Sequence, residues 1–279
     1  MSRRREISLR LASLADIASI MSAMKGLALM ETRVLNEVLG TQQRMVASIE
    51  AAAARFLAWH EELALSPLPN SELWILVGSE QGFCGDFNEA LLHHLERNFA
   101  EERKPVYQLL VGHRLANRLD DNPSMLRLPG ASVTSEVPTV LLRVTHELNR
   151  LLTSGGMRGS SVSVLYHCDA TAGIRLRYLL PFNDLPPQPA QQAYPPDTNL
   201  PADAFLTGLT GHYLYAALNE VLYSSLLAEN RQRLSHMDSA LKKLDEDSNQ
   251  LHLAYNARRQ EDIIEEIELI LLSTDLLCH

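Results

Sequence analysis

The stretch GSEQGFCGDFN, Gly78 to Asn88, gathers the residues of this chain best suited to chemistry: three glycines, a cysteine and two acids between an apolar run and a helical one. Glycines placed there either cradle a phosphate at a helix start or let two backbones approach closely. Their spacing, Gly78-x-x-x-Gly82-x-x-Gly85, matches neither the dinucleotide fingerprint G-x-G-x-x-G nor a phosphate loop ending in G-K-S/T. It favours a tight strand-to-helix connection over a nucleotide site. Cys84 stands where a helix dipole lowers a thiol pKa, but no His-Asp or His-Asn pair accompanies it, so a half-buried structural cysteine is the simpler reading. His93 and His94 are adjacent and face different directions on a helix, and no H-E-x-x-H pattern occurs. The acidic runs Asp245-Glu246-Asp247 and Glu265-Glu266 read as solvated helix faces. No cofactor, metal or catalytic residue is expected.

The elements that position this turn are legible from punctuation and period. LWILVGS, from Leu73, and PVYQLLVG, from Pro105, read as buried strands, each followed by a helical stretch, Phe87 to Phe99 and His113 to Leu119. A further helix is expected from Val137 to Leu152, ending at Gly155-Gly156. Two more strands, SVSVLYHCDA and IRLRYLLP, then flank a turn at Gly173. Strands alternating with helices imply a small, largely parallel sheet with helical cover.

Both ends of the chain read differently. From Ile7 to Leu65 there is no proline, and steps of three and four from Leu11 reach Leu14, Ala18, Met21 and onward to Phe56, with eleven of fourteen positions apolar. A seam sustained that long favours a coiled coil. The run stops at Pro67 and Pro69. After the proline-rich segment Pro181 to Pro201, read as a linker or extended crossing, neither proline nor, beyond Gly211, glycine interrupts the chain. A second heptad series runs from Leu227 to Tyr255, with Ile263, Ile267, Ile270, Thr274 and Leu277 expected to continue it after a phase shift. The fold class is therefore α/β: a long antiparallel coiled coil of N- and C-terminal helices plus a small largely parallel domain. The expected divisions are residues 1–66, 70–197 (Rossmann-like) and 198–279. Charge supports the pairing. Residues 1–60 carry 8 basic and 5 acidic groups, and 229–279 carry 6 and 11, so Arg3, Arg4 and Arg5 are expected near Glu261, Asp262, Glu265 and Glu266.

Composition excludes several classes. With 279 residues, 46% hydrophobic and a net charge of −9, the chain can build a core, unlike a disordered one, and is a poor partner for nucleic acid. Three scattered cysteines, Cys84, Cys168 and Cys278, fit a reducing compartment. The Arg-rich start carries Glu6 and Asp16 and is not read as a targeting segment. No run is read as long and uncharged enough to span a bilayer, so no membrane insertion is expected.

Three separated motifs resemble the gamma subunit of F-type ATP synthases. ISLRLASLADIASIMSAMKGLA is similar to that family's opening helix at Ile7, Ser13, Ile20, Ala23, Met24 and Ala28. SEQGFCGDFN is similar to its T-D-R-G-L-C-G-G-L-N turn at Gly82, Cys84, Gly85 and Asn88. LAYNARRQEDIIEEIELI is similar to its C-terminal signature at Tyr255, Asn256, Arg259, Gln260, Ile263, Glu266 and Ile270. The resemblance implies a central rotor shaft, without catalytic sites of its own, that couples ion flow to ATP chemistry. The implied partners are the alpha and beta subunits of a catalytic hexamer, an epsilon subunit and a membrane c-ring, at the cytoplasmic face of a bacterial inner membrane. It implies coupling contacts at Met24, Arg233, Arg259, Gln260 and Glu266. The chain departs from the family pattern at Ser19, at Leu29-Met30-Glu31, at Glu80-Gln81, at Ile264 and Leu269, and at Leu272-Ser273-Thr274. It resembles a divergent gamma, of the kind an alternative operon encodes. The competing readings are a non-rotary coiled-coil scaffold and a small-molecule enzyme using the Gly78 to Asn88 turn.

Overall fold

Two long stretches free of proline each form one helix in the computed structural model, which describes residues 3–60, 63, 72–98, 107–120, 122–153, 160–168, 173–180 and 199–275. The elements in order are α1 (Arg3–Leu57), β1 (Glu72–Val77), α2 (Phe87–Asn98), β2 (Tyr107–Val111), α3 (His113–Ala116) and β3 (Met125–Leu128). A 3-10 turn (Thr134–Glu136), α4 (Val137–Thr153), β4 (Ser161–Cys168), β5 (Gly173–Leu180) and α5 (Ala202–Asp275) follow. Pro201 directly precedes α5, where its missing N–H costs nothing, and its carbonyl accepts the first helical bond from the Phe205 N–H at 2.9 Å. The expected features at Pro67, Pro69, Gly155-Gly156, 181–198 and Cys278 lie outside the described residues.

The chain forms two units, Met1–Ala28 with Leu234–His279, and Leu29–Arg233. In the first, Lys25 pairs with Asp238, and Arg4 Nη1 lies 3.5 Å from Asp262 Oδ2. Residue numbers thus rise along α1 as they fall along α5, the expected antiparallel pairing. Leu11, Leu14, Ala18, Met21, Lys25 and Ala28 are all buried or half-buried, as are Met237, Leu241, Leu244, Ser248, Leu251 and Tyr255 across from them. The Arg4–Asp262 contact is one of the ion pairs anticipated from charge. Its side chains are 46% and 44% exposed, so it contributes only about 0–1 kcal/mol.

The expected phase shift does not occur. After Tyr255 the half-buried series continues through Arg258 and Asp262, whereas Ile263, Ile267 and Ile270 are exposed. Arg4, near the first described residue of α1, already meets Asp262, so among the described residues no part of α1 stands opposite the later turns of α5. The side chains of Thr274 and Leu277 lie outside the described residues. By length and composition alone, one stretch within Arg4–Leu57 is apolar enough to cross a bilayer when the charged residues that interrupt it are allowed for, and little of it is buried. Heptad apolar residues and additional outward ones, such as Ile20, Leu27 and Met30, together produce that hydropathy.

In the second unit five strands take the order β3-β2-β1-β4-β5, all parallel to their neighbours except β5, which runs antiparallel to β4. The inner strands are covered on both faces, and all eight residues of β4 are buried. Alternation assigns the faces. Leu73, Ile75, Val77, Leu109, Val111, Val162 and Val164 join a core with Leu35, Leu39 and Val46 of α1, Val140 and Val144 of α4, and Tyr213 to Leu227 of α5. Leu76, Leu110 and Leu165 pack on the other face with Leu91 of α2 and Leu115 of α3. From Val221 to Leu227 every residue of α5 is buried, as a helix enclosed on all sides requires. Arg177 of β5 ties the edge strand to both helices, 2.7 Å from Glu50 Oε1 and 2.5 Å from Glu220 Oε2.

Two elements differ from the sequence reading. β3 is an unanticipated four-residue strand whose residues are half-buried or exposed, too short and too weakly apolar to show a period. α3 ends at Ala116 rather than Leu119, because Arg118 N–H turns to the Leu115 carbonyl in a tighter bond.

Candidate functional site

The Gly78 to Asn88 turn leaves β1 at its carboxyl end on the side of β2, whereas the point of strand-order reversal, where open α/β sheets commonly bind ligands, lies on the other side of β1, between β1 and β4. Close approach explains its first glycine: a Cβ on Gly78 would lie 2.4 Å from Leu115 Cβ. Gly112, at φ 114, is required for two reasons, since its added Cβ would also lie 2.8 Å from the Gly78 carbonyl oxygen. Asn88 closes the turn reciprocally. Its Oδ1 accepts from Ser79 N–H at 3.0 Å, and its Nδ2 donates to Ser79 Oγ at 2.8 Å. Glu80 Oε2 accepts from the N–H groups of His113 and Gly130, at 2.9 and 2.7 Å, joining the turn to the start of α3 and to the loop after β3.

The far side of the turn meets α5. Arg233 Nε donates to the Gly82 carbonyl at 3.2 Å, Glu229 Oε1 accepts from Gln81 N–H at 3.4 Å, and Gln232 Nε2 donates to Asp86 Oδ1 at 2.6 Å. Arg233 also donates to Asn230 Oδ1 at 2.9 Å and pairs with Glu229. Burial pushes the Glu229 carboxyl up, and Arg233 with the N–H groups of Gln81 and Glu80 pulls it back. At the tip, Phe83 holds φ 63 and is 54% exposed. A bulky residue rarely keeps that conformation, and such strain concentrates at functional sites.

A cleft of about 330 Å³ lies against the turn, lined by Ser79, Phe83, Cys84, Arg114 and Arg118 among others. Arg118 is paired with Glu89 at 2.5 Å. Cys84 is buried, and its Sγ lies 3.6 Å from the Gln81 carbonyl oxygen. Burial raises its thiol pKa, opposing the activation that a nucleophile needs. Alkylation of Cys84 by iodoacetamide at pH 7 should therefore run well below the rate of a free thiol, as mass spectrometry of the modified peptide would measure. No group of three His, Cys, Asp or Glu placed to hold a metal occurs among the described residues.

His167 of β4 fixes the helix that follows the turn: its ring stacks on Phe87 at 3.8 Å between centroids, and Nε2 lies 2.8 Å from the Phe87 carbonyl oxygen. Burial holds this imidazole below the usual histidine range, against the opposing influence of the Phe87 carbonyl and Asp86. The unfolded chain then takes up the proton at higher pH than the folded one, so stability falls as pH drops below about 6.5. Urea unfolding from pH 8 to 5 should show that decline, and His167→Gln should flatten it.

The sequence-derived contact residues fall in two places. Met24 is half-buried in the helical unit, where Arg259, Gln260 and Glu266 are exposed on α5. Arg233 belongs to the sheet unit, buried under the turn rather than on a surface. Sequence reasoning missed Glu229 and Glu80. The first carried a signal, the spacing of Glu229 and Arg233 one helical turn apart; the second carried none.

These features define a helical subunit built on an α/β domain, with no assembled catalytic group among the described residues. A family model described as ATP synthase matches residues 3–273. The ATP synthase gamma chain of Geotalea daltonii is 25% identical over 287 residues, covering 96% of each chain. The rotor of the Euglena gracilis mitochondrial ATP synthase superposes with a TM-score of 0.66 at 13% identity, over 94% of this chain and 99% of that one. The central stalk and c-ring structure of the Tetrahymena thermophila enzyme gives 0.58 at 17%, over 79% and 99%. The chain belongs to the ATP synthase family, and within it to the gamma subunits of the F-type enzymes.

Proposed function

We propose that this chain is the central rotor shaft of a rotary ATP synthase, a non-catalytic subunit that couples ion flow through a membrane ring to ATP synthesis or hydrolysis in an alpha-beta hexamer. One observation carries this reading beyond family membership: past its contact with Arg4 at Asp262, α5 continues with an exposed apolar stretch. Ile263, Ile264, Ile267 and Ile270 are 44%, 55%, 51% and 60% exposed. Exposed apolar surface of this kind marks a contact with another protein, and a smooth apolar helix end suits a bearing inside an apolar sleeve. The chain is peripheral and membrane-adjacent. Its finer assignments are contact with an epsilon subunit and with the c-ring, at the cytoplasmic face of a bacterial inner membrane.

Met24, Arg259, Gln260 and Glu266 are read as coupling contacts with the catalytic ring, and Arg233 as a coupling residue acting from inside the sheet unit. Functionally the chain divides into 1–66, 70–197 and 198–279. Contacts to the ring must be many and individually weak, because a shaft gripped in one orientation cannot turn. Co-purification tests the assignment. The tagged chain, expressed with its cognate subunits, should bring down alpha, beta and an epsilon-like chain. Recovery of the folded chain alone would favour a non-rotary scaffold.

A further inference from the structure

Glu229 and Arg233 lie one turn apart on α5, each side chain 4% exposed, beside the apolar core residues Leu226 and Leu227. A buried ion pair is weak evidence of stabilisation, since packed apolar residues of similar volume often replace one at no loss. The remaining bonds of this pair point elsewhere. Glu229 accepts from Gln81 N–H and Arg233 donates to the Gly82 carbonyl, so the two charges grip consecutive residues of the turn, one through a donor and the other through an acceptor. Gln232, between them in sequence, holds Asp86 at the other side of the tip. Between these attachments stands Phe83, exposed and at positive φ, a conformation that persists only where the surroundings fix it.

We infer that the Glu229–Arg233 pair is a clasp that locks the Gln81 to Asp86 turn to α5, so that the exposed Phe83 tip moves with the helix as one body. Both are positioning residues: they transmit motion between helix and turn without touching a partner. This rests on the rotor reading above. It also gives the buried Arg233 a role in coupling that a surface contact could not supply.

The test is the double variant Glu229→Leu with Arg233→Met, compared with wild type as the full chain and in the complex reconstituted with its alpha, beta and membrane subunits. The clasp predicts an unchanged or higher melting temperature. It predicts amide exchange across residues 80–83 faster by about tenfold, the loss of hydrogen bonds to charged groups. It also predicts several-fold fewer ions pumped per ATP hydrolysed, with hydrolysis itself retained. Arg233→Lys, which keeps the charge but lacks the planar fork that reaches Gly82 and Asn230 together, should fall between. Unchanged exchange or unchanged coupling in the double variant would overturn the clasp, and so would failure of that variant to fold or assemble, which would assign the pair to stability. If the wild-type chain forms no coupled complex, the rotor reading fails, and exchange in the full chain still decides whether the turn is held by this pair.

Discussion

Ending the chain after Asn256 should leave the sheet unit folded while coupled pumping falls about fivefold or more, within the usual range of coupling energies between sites. The deletion removes Arg259, Gln260, Glu266 and the apolar end of α5, none of which joins the core packed on either face of the sheet. Within the helical unit it deletes Asp262, whose pairing with Arg4 is half-exposed and contributes little. Thermal unfolding of the isolated chain should therefore retain the transition of the sheet unit, while the ratio of ions moved to ATP hydrolysed in the complex declines. Full coupling in the truncated chain would contradict a shaft role for that end.

Leu35→Ala should destabilise the protein by about 2–5 kcal/mol, the cost of a cavity at a buried leucine. Leu35 has no exposed surface and packs in the core shared by α1, the sheet and α5. Ile20, on the same helix and equally apolar, is 61% exposed, and Ile20→Ala should change stability by less than about 0.5 kcal/mol. Sequence hydropathy cannot separate these two positions; the seam does, because Leu35 lies on it and Ile20 does not. Urea denaturation of both variants measures the contrast. Equal losses would mean that Ile20 is covered within the chain and is not available to a partner.

Legibility followed the physics of each element. The seam of α1 was readable because one buried stripe repeats every three or four residues, and the fourteen positions from Leu11 to Phe56 are all buried or half-buried. The inner strands β1 and β4 were readable as short, mainly apolar runs, since burial on both faces favours apolar residues, with Ser161, Ser163 and His167 of β4 as buried exceptions. β3 was not, because an edge strand of four residues with Arg127 in it carries no period. The supposed shift of the α5 seam at Ile263 misread apolar residues that serve an outside face as though they faced the partner helix. Sequence periodicity reports which residues are apolar, not what covers them.

The site was half visible. Glycine spacing identified a tight turn and excluded a phosphate loop, and the need for glycine at Gly78 and Gly112 is a matter of contacts within 3 Å. What the spacing could not reveal is that α5, some 140 positions further along the chain, supplies Glu229 and Arg233 to hold that turn. Two departures from the family pattern have roles of their own here. Glu80 caps two backbone amides, and Glu31 accepts from Thr134 N–H at 2.9 Å and from Thr134 Oγ1 at 2.5 Å, anchoring the turn before α4 to α1.

Direct observation of rotation tests the central claim. With the catalytic ring immobilised through its beta subunits and a probe attached to an exposed position of the sheet unit, ATP should drive unidirectional turning of the probe in discrete steps. Steady ATP hydrolysis by the assembled complex with a stationary probe would contradict the assignment of this chain as the rotor.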